Sequence, residues 1–357
     1  MMAATLPLSA FTDKQKYTQT IKRQMQVDSR GTVTLHNMMG SIRTEPGTGN
    51  RLKLTITVTV NATSENRAQD FFDRIDFDIA DNPRSVRVET RIDQPNIWNN
   101  RSKVSDYSID YLVVLPATMK LNLRNRFGKV NLAEIENDAQ LEVAHGDLSA
   151  GNVSGHLRLS LTHGHGKVGN LGNLTADLAH ATLSLQNTRD ARLTIRHGQV
   201  NGRDAKYLAL ESQHSGAEFA RVDRVDYEGR YDDLRFNTVD AFYGEGNYST
   251  IASEGIRDRL ELDLRYGNVR IDHLHRGFST VSLSGQHTDY RIIVAPDASF
   301  SLDAAAEYAG IRYPKSMEVT YEQERGTEHH VRAYVGTPNP RSVIRASLNY
   351  GALRLSD

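Results

Sequence analysis

The chain of 357 residues contains no cysteine, which excludes disulfide bonds, thiol catalysis and cysteine-ligated metal. It also has little excess charge, with 43 basic and 44 acidic side chains and a net charge of −1. No basic block stands out, so binding to nucleic acid or to an anionic membrane surface has little support. The redox compartment stays open, because a chain without cysteine suits both the cytosol and an oxidising envelope.

Long apolar segments are lacking as well. No hydrophobic run approaches the roughly 20 residues that cross a bilayer, so we expect no membrane insertion. Residues 1–10 are too short for a signal peptide and lack its charged start. We therefore expect a protein that is either cytosolic or already separated from its leader.

Recognisable catalytic motifs are the third absence. The chain has no HExxH zinc motif, phosphate loop, GxSxG elbow or acidic calcium nonapeptide. Nucleophilic and metal-dependent hydrolases lose most of their support, and we expect no cofactor.

A short phrase recurs along the chain at intervals of about 17–21 residues, a period typical of repeat proteins. Each copy has an aromatic residue or histidine, then usually glycine, any residue and an aliphatic residue, as in His145-Gly146-Asp147-Leu148. The positions assigned to one structural column of rings are Phe127, His145, His165, His180, His197, His214 and Tyr266. Further copies start at Tyr231, Tyr243, His287, Tyr308 and Tyr350. Such a period indicates an architecture in which each unit buries its apolar surface against its neighbours.

Alternation within the repeat unit follows the period of a strand, as in Leu157-x-Leu159-x-Leu161. Leucine-rich, propeller and helical repeats require other spacings. We therefore predict an all-β, single-stranded β-solenoid that resembles a right-handed parallel β-helix. Regular repeats should occupy residues 121–357, with the ring residues stacked about 5 Å apart.

Residues 1–120 are predicted to form a less regular, β-rich part of the same solenoid. Within them the period changes over 64–75, where Ala68, Phe71, Phe72 and Ile75 follow helical spacing. We predict one short helix there, with both phenylalanines and Ile75 buried. This helix should act as a cap that protects the terminal coil from edge-to-edge pairing.

Five stretches carry a resemblance to a known family. They are residues 31–37, 52–68, 86–90, 109–116 and 125–130. Their order resembles the bacterial putative-adhesin family of exported β-solenoid envelope proteins. The resemblance implies a β-solenoid fold and a place in the periplasm or at the cell surface, and it implies no particular molecular activity.

The repeated histidines are the first candidates for chemistry. Neutral imidazole binds zinc, copper or nickel. The best candidate pair for a metal is His163 with His165, ahead of His329 with His330. Phenylalanine cannot bind a metal, however, and Phe127 occupies the same repeat position as the histidines. We therefore favour a structural column of rings and assign no metal site.

Acidic side chains provide the alternative hypothesis, a carbohydrate-active β-helix enzyme. Such an enzyme needs paired acids with a basic partner or calcium on one face. The candidate acids are Asp223, Asp226, Glu228, Asp232 and Asp233, and the candidate bases are Arg221, Arg224, Arg230 and Arg235. Alternating charges of both signs are typical of a solvated face with cross-strand pairs, so we assign no catalytic residue.

A loop at 93–106 contains the single tryptophan, Trp98. With Tyr107 and nearby asparagines, Trp98 could form a platform on which a sugar stacks, and these two residues are the candidate ligand-binding site. The alternative is that Trp98 packs back onto the solenoid as an anchor.

The sequence as a whole predicts a non-catalytic, adhesin-like envelope or surface protein that binds or scaffolds through extended solenoid faces. The expected partner is a glycan or an envelope protein. A carbohydrate-active enzyme, such as a polysaccharide lyase or glycosidase, is the main alternative. A structural element that self-assembles through its ends is the other.

Overall fold

The computed structural model describes residues 14–93 and 106–357. The chain forms two compact units, Met1–Glu134 and Ile135–Asp357. The expectation from sequence placed the division at 120/121. Strands dominate both units, and the predicted all-β solenoid with one short helix is confirmed. No helix within the described residues has the length and apolarity needed to cross a membrane.

The N-terminal unit contains nine strands and one helix in its described residues. They are β1 (Gln15–Gln26), β2 (Thr32–Met39), β3 (Ile42–Pro46), β4 (Arg51–Ala62), α1 (Glu65–Phe72), β5 (Ile75–Asn82), β6 (Ser85–Ile92), β7 (Tyr107–Leu115), β8 (Lys120–Phe127) and β9 (Val130–Leu132). Hydrogen bonding arranges the strands in two series, β1-β4-β7-β3-β9 and β5-β6-β2-β8.

Three coils of this unit stack in parallel. Strands β6 and β7 pair with β2 and β3, which in turn pair with β8 and β9. Gly40 and Gly128 turn two of the corners with φ of 114° and 138°. A side chain at Gly128 would collide with the Gly40 carbonyl oxygen at 2.1 Å, so the coils approach too closely there for any other residue.

The predicted helix is present, but it does not close the edge of the terminal coil. Antiparallel β5 covers the edge of β6, and antiparallel β4 covers the edge of β7. The helix lies in the connection between these two covering strands. Of the three aromatic or aliphatic residues predicted to be buried there, only Phe71 is buried, whereas Phe72 and Ile75 are half-buried. A short helix has room for a narrow apolar stripe, and Ala68 and Phe71 fill it.

The C-terminal unit is built from fifteen strands. They are β10 (Ala139–Ala144), β11 (Leu148–Ala150), β12 (Val153–Val168), β13 (Leu171–Leu185), β14 (Thr188–Arg196), β15 (Gln199–Gln213), β16 (Gly216–Arg230), β17 (Asp233–Asn247), β18 (Thr250–Arg265), β19 (Asn268–Leu274), β20 (Thr280–Val294), β21 (Phe300–Arg312), β22 (Glu318–Arg325), β23 (Glu328–Val335) and β24 (Ser342–Ser356). From β10 to β20 neighbouring strands pair in parallel, as the solenoid prediction requires.

The parallel registers define each coil. Leu193 pairs with Leu210 on the next coil, and Leu260 pairs with Val281, so the coil is longer near the C-terminal end of the unit. Inward-facing aliphatic side chains thereby stack into continuous buried columns. Where a core ring needs more space, the neighbouring coil has glycine: a Cβ at Gly202 would lie 2.2 Å from the Phe219 ring.

One corner of this unit carries a ladder of asparagine amides. Asn170 donates to Asn152 Oδ1 at 3.2 Å, and Asn187 donates to Asn170 Oδ1 at 3.0 Å. Each amide therefore satisfies its neighbour on the adjacent coil. Such ladders hold coils in register where the backbone turns away from the sheet.

The last coils depart from the order of the chain. Strand β24 lies between β20 and β21 and pairs in parallel with both. On its other side β21 pairs with antiparallel β23, which pairs with β22. The outermost strand, β22, has a register shift between Val319 and Tyr321. A bulge and charged side chains on an outer strand oppose the addition of another chain, which disfavours self-assembly at this edge.

Candidate functional site

An exposed column of stacked rings runs along one corner of the C-terminal unit. Neighbouring ring centroids lie 4.6–5.1 Å apart, with interplanar angles of 2–9°. In stacking order, the members of this ring column are His145, His163, His180, His197, His214, Tyr231, Tyr248, Tyr266, His287, Tyr350 and Tyr308.

Every member of the ring column has a left-handed backbone, with φ between 50° and 60°. This conformation turns the chain from one strand into the next and projects the ring outward. Stacking contributes about 0.5–1.5 kcal/mol per aromatic pair. The left-handed backbone costs roughly 1–2 kcal/mol, so the two contributions are of the same order and the stack offsets the strain.

The residue after a ring is small at every position except Asp232, and the reason is steric. A Cβ at Gly164 would lie 1.9 Å from the Gly146 carbonyl oxygen, and one at Gly198 would lie 2.6 Å from that of Ala181. Where this position is polar, the side chain is buried and bonded: Thr288 Oγ1 donates to the Leu264 carbonyl at 3.0 Å. The recurring ring-glycine pair thus reflects a left-handed corner followed by close contact between coils.

Two ring positions expected from the sequence are corrected by the structure. His163, not His165, belongs to the column, and Tyr248 takes the place expected for Tyr243. His165 lies two residues beyond the corner on β12, where its Nδ1 is 3.3 Å from Asp147 Oδ1. The column advances by a nearly constant step in sequence from His145 to Tyr266, and that constancy would have selected His163 and Tyr248.

Phe127 belongs to the N-terminal unit, where it ends β8, and the left-handed residue at its corner is Gly128 rather than the ring residue itself. The remaining predicted members in the C-terminal unit, His145, His180, His197, His214 and Tyr266, all lie in the ring column.

A shallow groove of about 1360 Å³ runs beside the first seven rings, from His145 to Tyr248. The groove is also lined by residues two positions after the rings, namely Asp147, His165, Thr182, Gln199, Gly216 and Asp233. Because each ring is covered on both faces by its neighbours, the column presents ring edges to this groove. Those edges carry imidazole nitrogens and tyrosine hydroxyls.

Beneath the groove lies a buried carboxylate, Asp232. Its oxygens accept hydrogen bonds from Ser212 Oγ at 2.8 Å, the Ser215 amide at 2.9 Å and Tyr227 Oη at 3.0 Å. Burial raises the pKa of the Asp232 carboxyl, and these hydrogen bonds act in the opposite direction. Asp232 is therefore a fully bonded core group, which does not suit the role of an exposed acid proposed for it in an enzyme.

The other candidate acids lie on the surface and are mostly paired with arginine. Ion pairs join Arg221 to Asp223 at 3.6 Å, Arg224 to Asp226 at 2.9 Å and Arg235 to Asp233 at 2.7 Å. Glu228 differs, because it belongs to a file of acids in register on four coils. Its members are Glu211, Glu228, Glu245 and Asp263. Arg230 lies on the same face, two residues after Glu228, and its guanidinium bonds Gln213 at 3.1 Å.

The ring column is poorly suited to hold a metal ion between neighbouring histidines. Zinc binds imidazole nitrogen at about 2.0–2.1 Å, so two nitrogens on one ion lie at most about 4.2 Å apart. Parallel histidine rings with centroids 4.9–5.1 Å apart exceed that reach unless they leave the stack. Within residues 14–93 and 106–357, three potential ligands do converge, namely exposed Glu322 and Glu324 with half-buried His329.

The expected sugar platform is only partly within the described residues. Trp98 lies outside them. Tyr107 begins β7, and its ring packs 4.6 Å from that of Phe71 in α1. Burial raises the pKa of Tyr107, while the charge of Arg74 acts to lower it. The structure thus gives Tyr107 a packing role beside the helix.

Comparison with known proteins returned structural neighbours only. No protein-family model matches the sequence, and no curated protein matches it. A putative adhesin from Parabacteroides merdae ATCC 43184 is 15% identical, with 71% of this chain and 95% of that chain covered and a TM-score of 0.34. A putative cell adhesion protein from Clostridium sporogenes ATCC 15579 is 9% identical, with 95% and 99% covered and a TM-score of 0.18. A putative lipid binding protein from Parabacteroides distasonis ATCC 8503 is 9% identical, with 95% and 97% covered and a TM-score of 0.27.

Proposed function

We propose that this chain is a non-catalytic, adhesin-like protein of the cell envelope or surface that binds an extended partner along its C-terminal unit. The observation that carries the proposal is the ring column with its groove. It repeats one polar edge at nearly constant spacing over many coils. Enzymes instead concentrate perturbed groups in one concave site. The envelope location rests on the sequence resemblance to exported proteins.

A carbohydrate-active enzyme is the second candidate, and one arrangement favours it. Glu211 and Glu228 lie in register on adjacent coils with Arg230 on the same face. Adjacent coils are about 4.8 Å apart, close to the separation of paired carboxylates in retaining glycosidases. Against it, the file continues through Glu245 and Asp263 with no member set apart from the rest. A binding surface therefore accounts better for the repetition.

Turnover assays separate the two candidates. We expect no unsaturated or reducing sugar ends when the full chain is incubated with pectins, alginates, glycosaminoglycans and bacterial glycans. Any interaction should appear as binding without turnover. New sugar ends that disappear in Glu228→Gln, but persist in the surface variant Asp223→Asn, would establish the enzyme instead.

A further inference from the structure

We propose that the groove beside the ring column binds a straight, β-1,4-linked glycan, held through hydrogen bonds to ring edges rather than by stacking on ring faces. This inference rests on the proposed binding function and names the class of ligand. The relevant surface is the seven-ring segment from His145 to Tyr248.

The stacking geometry excludes the usual way in which aromatic residues bind sugars. A sugar normally packs its apolar face on an open ring face. In the seven-ring segment the ring faces are occupied by neighbours 4.6–5.1 Å away. What remains open is the edge, and the exposed fractions of Tyr231 and Tyr248 are 48% and 50%. Each neutral imidazole edge offers one donor and one acceptor, and each phenol does the same, which matches the hydroxyl groups of a sugar.

The spacing of the edges favours a glycan over a peptide. An extended peptide repeats its side chains on one face every two residues, about 6.6 Å, and loses register with rings 4.9–5.1 Å apart. A straight β-1,4-linked glycan advances by one pyranose ring per sugar, a length close to the ring spacing, and alternate sugars are turned over. Because both edges of a pyranose carry hydrogen-bonding oxygens, successive sugars can still bond to successive coils.

Charge along the groove disfavours polyanions. The lining of the groove includes Asp147 and Asp233, together with the neutral side chains of Thr182 and Gln199. Both carboxylates have partners, His165 at 3.3 Å and Arg235 at 2.7 Å, and the described lining contains no lysine or arginine that would attract nucleic acids or sulfated glycans. Neutral sugars need no such cation, and the Gln199 amide and Thr182 hydroxyl extend the hydrogen-bonding surface.

Calorimetric titration of the full chain tests the proposal. The probes are β-1,4-linked N-acetylglucosamine oligomers, from the disaccharide to the hexasaccharide. We expect the Kd to tighten about threefold with each added sugar, because each coil adds a hydrogen-bonded contact. The α-1,4-linked glucose oligomers of the same lengths should not bind, since their chain curves away from a straight column. Affinity that stops rising at the disaccharide would overturn the proposal.

The site is tested by removing the edge groups while keeping the stack. His180→Phe with His197→Phe retains both rings and removes their nitrogens, and we expect the hexasaccharide Kd to weaken about tenfold. The matched control, Tyr266→Phe with Tyr308→Phe, lies outside the groove and should bind normally. Unchanged binding in the histidine variant would place the site elsewhere.

A second variant keeps the proposal testable if the double histidine variant does not fold. Thr182→Arg fills the middle of the groove without touching the stack, and we expect it to abolish binding while leaving the circular dichroism spectrum unchanged. If no oligomer binds and no turnover occurs, the glycan proposal fails and the non-catalytic function stands. Turnover of a glycan would reject both.

Discussion

Asp232 is a carboxylate buried under the ring column, and its burial makes the stability of the fold depend on pH. Its raised pKa means that the folded state binds a proton more readily than the unfolded state. The stability contributed by that proton is fully present below the ordinary value of 3.8 and is lost as pH rises through the folded pKa. At neutral pH, the buried charge of this carboxylate therefore lowers the free energy of unfolding.

Asp232→Asn should remove that dependence. The amide keeps one acceptor for the Ser215 amide, and the hydroxyls of Ser212 and Tyr227 can rotate to accept from its nitrogen. Urea unfolding measures the unfolding free energy of the variant and of the parent. We expect the difference, variant minus parent, to rise with pH above about 3.8 and then level off. A difference that falls with pH would contradict this prediction.

Alanine at the same position supplies the control. It leaves the Ser212 hydroxyl and the Ser215 amide without their acceptor, while Tyr227 Oη keeps Ser249 Oγ at 2.8 Å, and each unsatisfied buried group costs about 1–3 kcal/mol. We expect Asp232→Ala to lose about 3 kcal/mol of unfolding free energy at neutral pH. The asparagine variant should be at least as stable as the parent under the same conditions.

At the scale of elements, α1 shows how few residues anchor a short helix. Phe71 is 3% exposed and its ring contacts that of Tyr107, with the Arg74 guanidinium 5.7 Å from the ring centroid. Phe72, its neighbour in sequence, is half-buried. Adjacent residues on a helix point about 100° apart, so only one of the two can face the sheet.

Alanine substitutions should separate the two phenylalanines. We expect Phe71→Ala to lose about 3–4 kcal/mol of unfolding free energy, the usual range for a buried ring. Phe72→Ala should lose less than about half of that, because its ring stays partly in water in both states. Denaturant unfolding measures both, and an equal or larger loss at Phe72 would show that the helix packs on its other face.

At the scale of the whole molecule, local sequence patterns predicted the repeated strands and rings. They did not predict features that depend on comparing one repeat with the next. The strand period, the ring residues and the helix all leave local patterns. His163 and His165 both begin a ring-glycine pair, so the local phrase could not choose between them, whereas the nearly constant step from one ring to the next does. Nor could the phrase reveal that Tyr350 stacks between His287 and Tyr308, since a period carries no information on the order of coils.

The inserted strand β24 predicts unusual coupling between its neighbours. Ile344 is fully buried and lies in register with Val281 of β20 and Leu302 of β21. We expect Ile344→Ala to lose about 3 kcal/mol and to speed amide hydrogen exchange in both β20 and β21. The matched variant is Leu178→Ala in β13. Outside β13 itself, it should speed exchange only in β12 and β14, because solenoid coils contact their nearest neighbours. Faster exchange confined to β24 would contradict the coupling.

The same insertion has a kinetic consequence. Most coils can add to the stack one after another, each closing a loop of a single coil, but β24 must reach back to β20 past the whole of β21, β22 and β23. The longer loop adds only about 1 kcal/mol of closure entropy. It nevertheless means that β24 can pair with β20 and β21 only after both of these strands have formed. Until β24 arrives, β20 and β21 each hold an unpaired edge open to solvent. A refolding molecule paused there exposes the kind of edge through which chains associate, so refolding yield should fall with protein concentration even though the finished stack has its terminal strand protected.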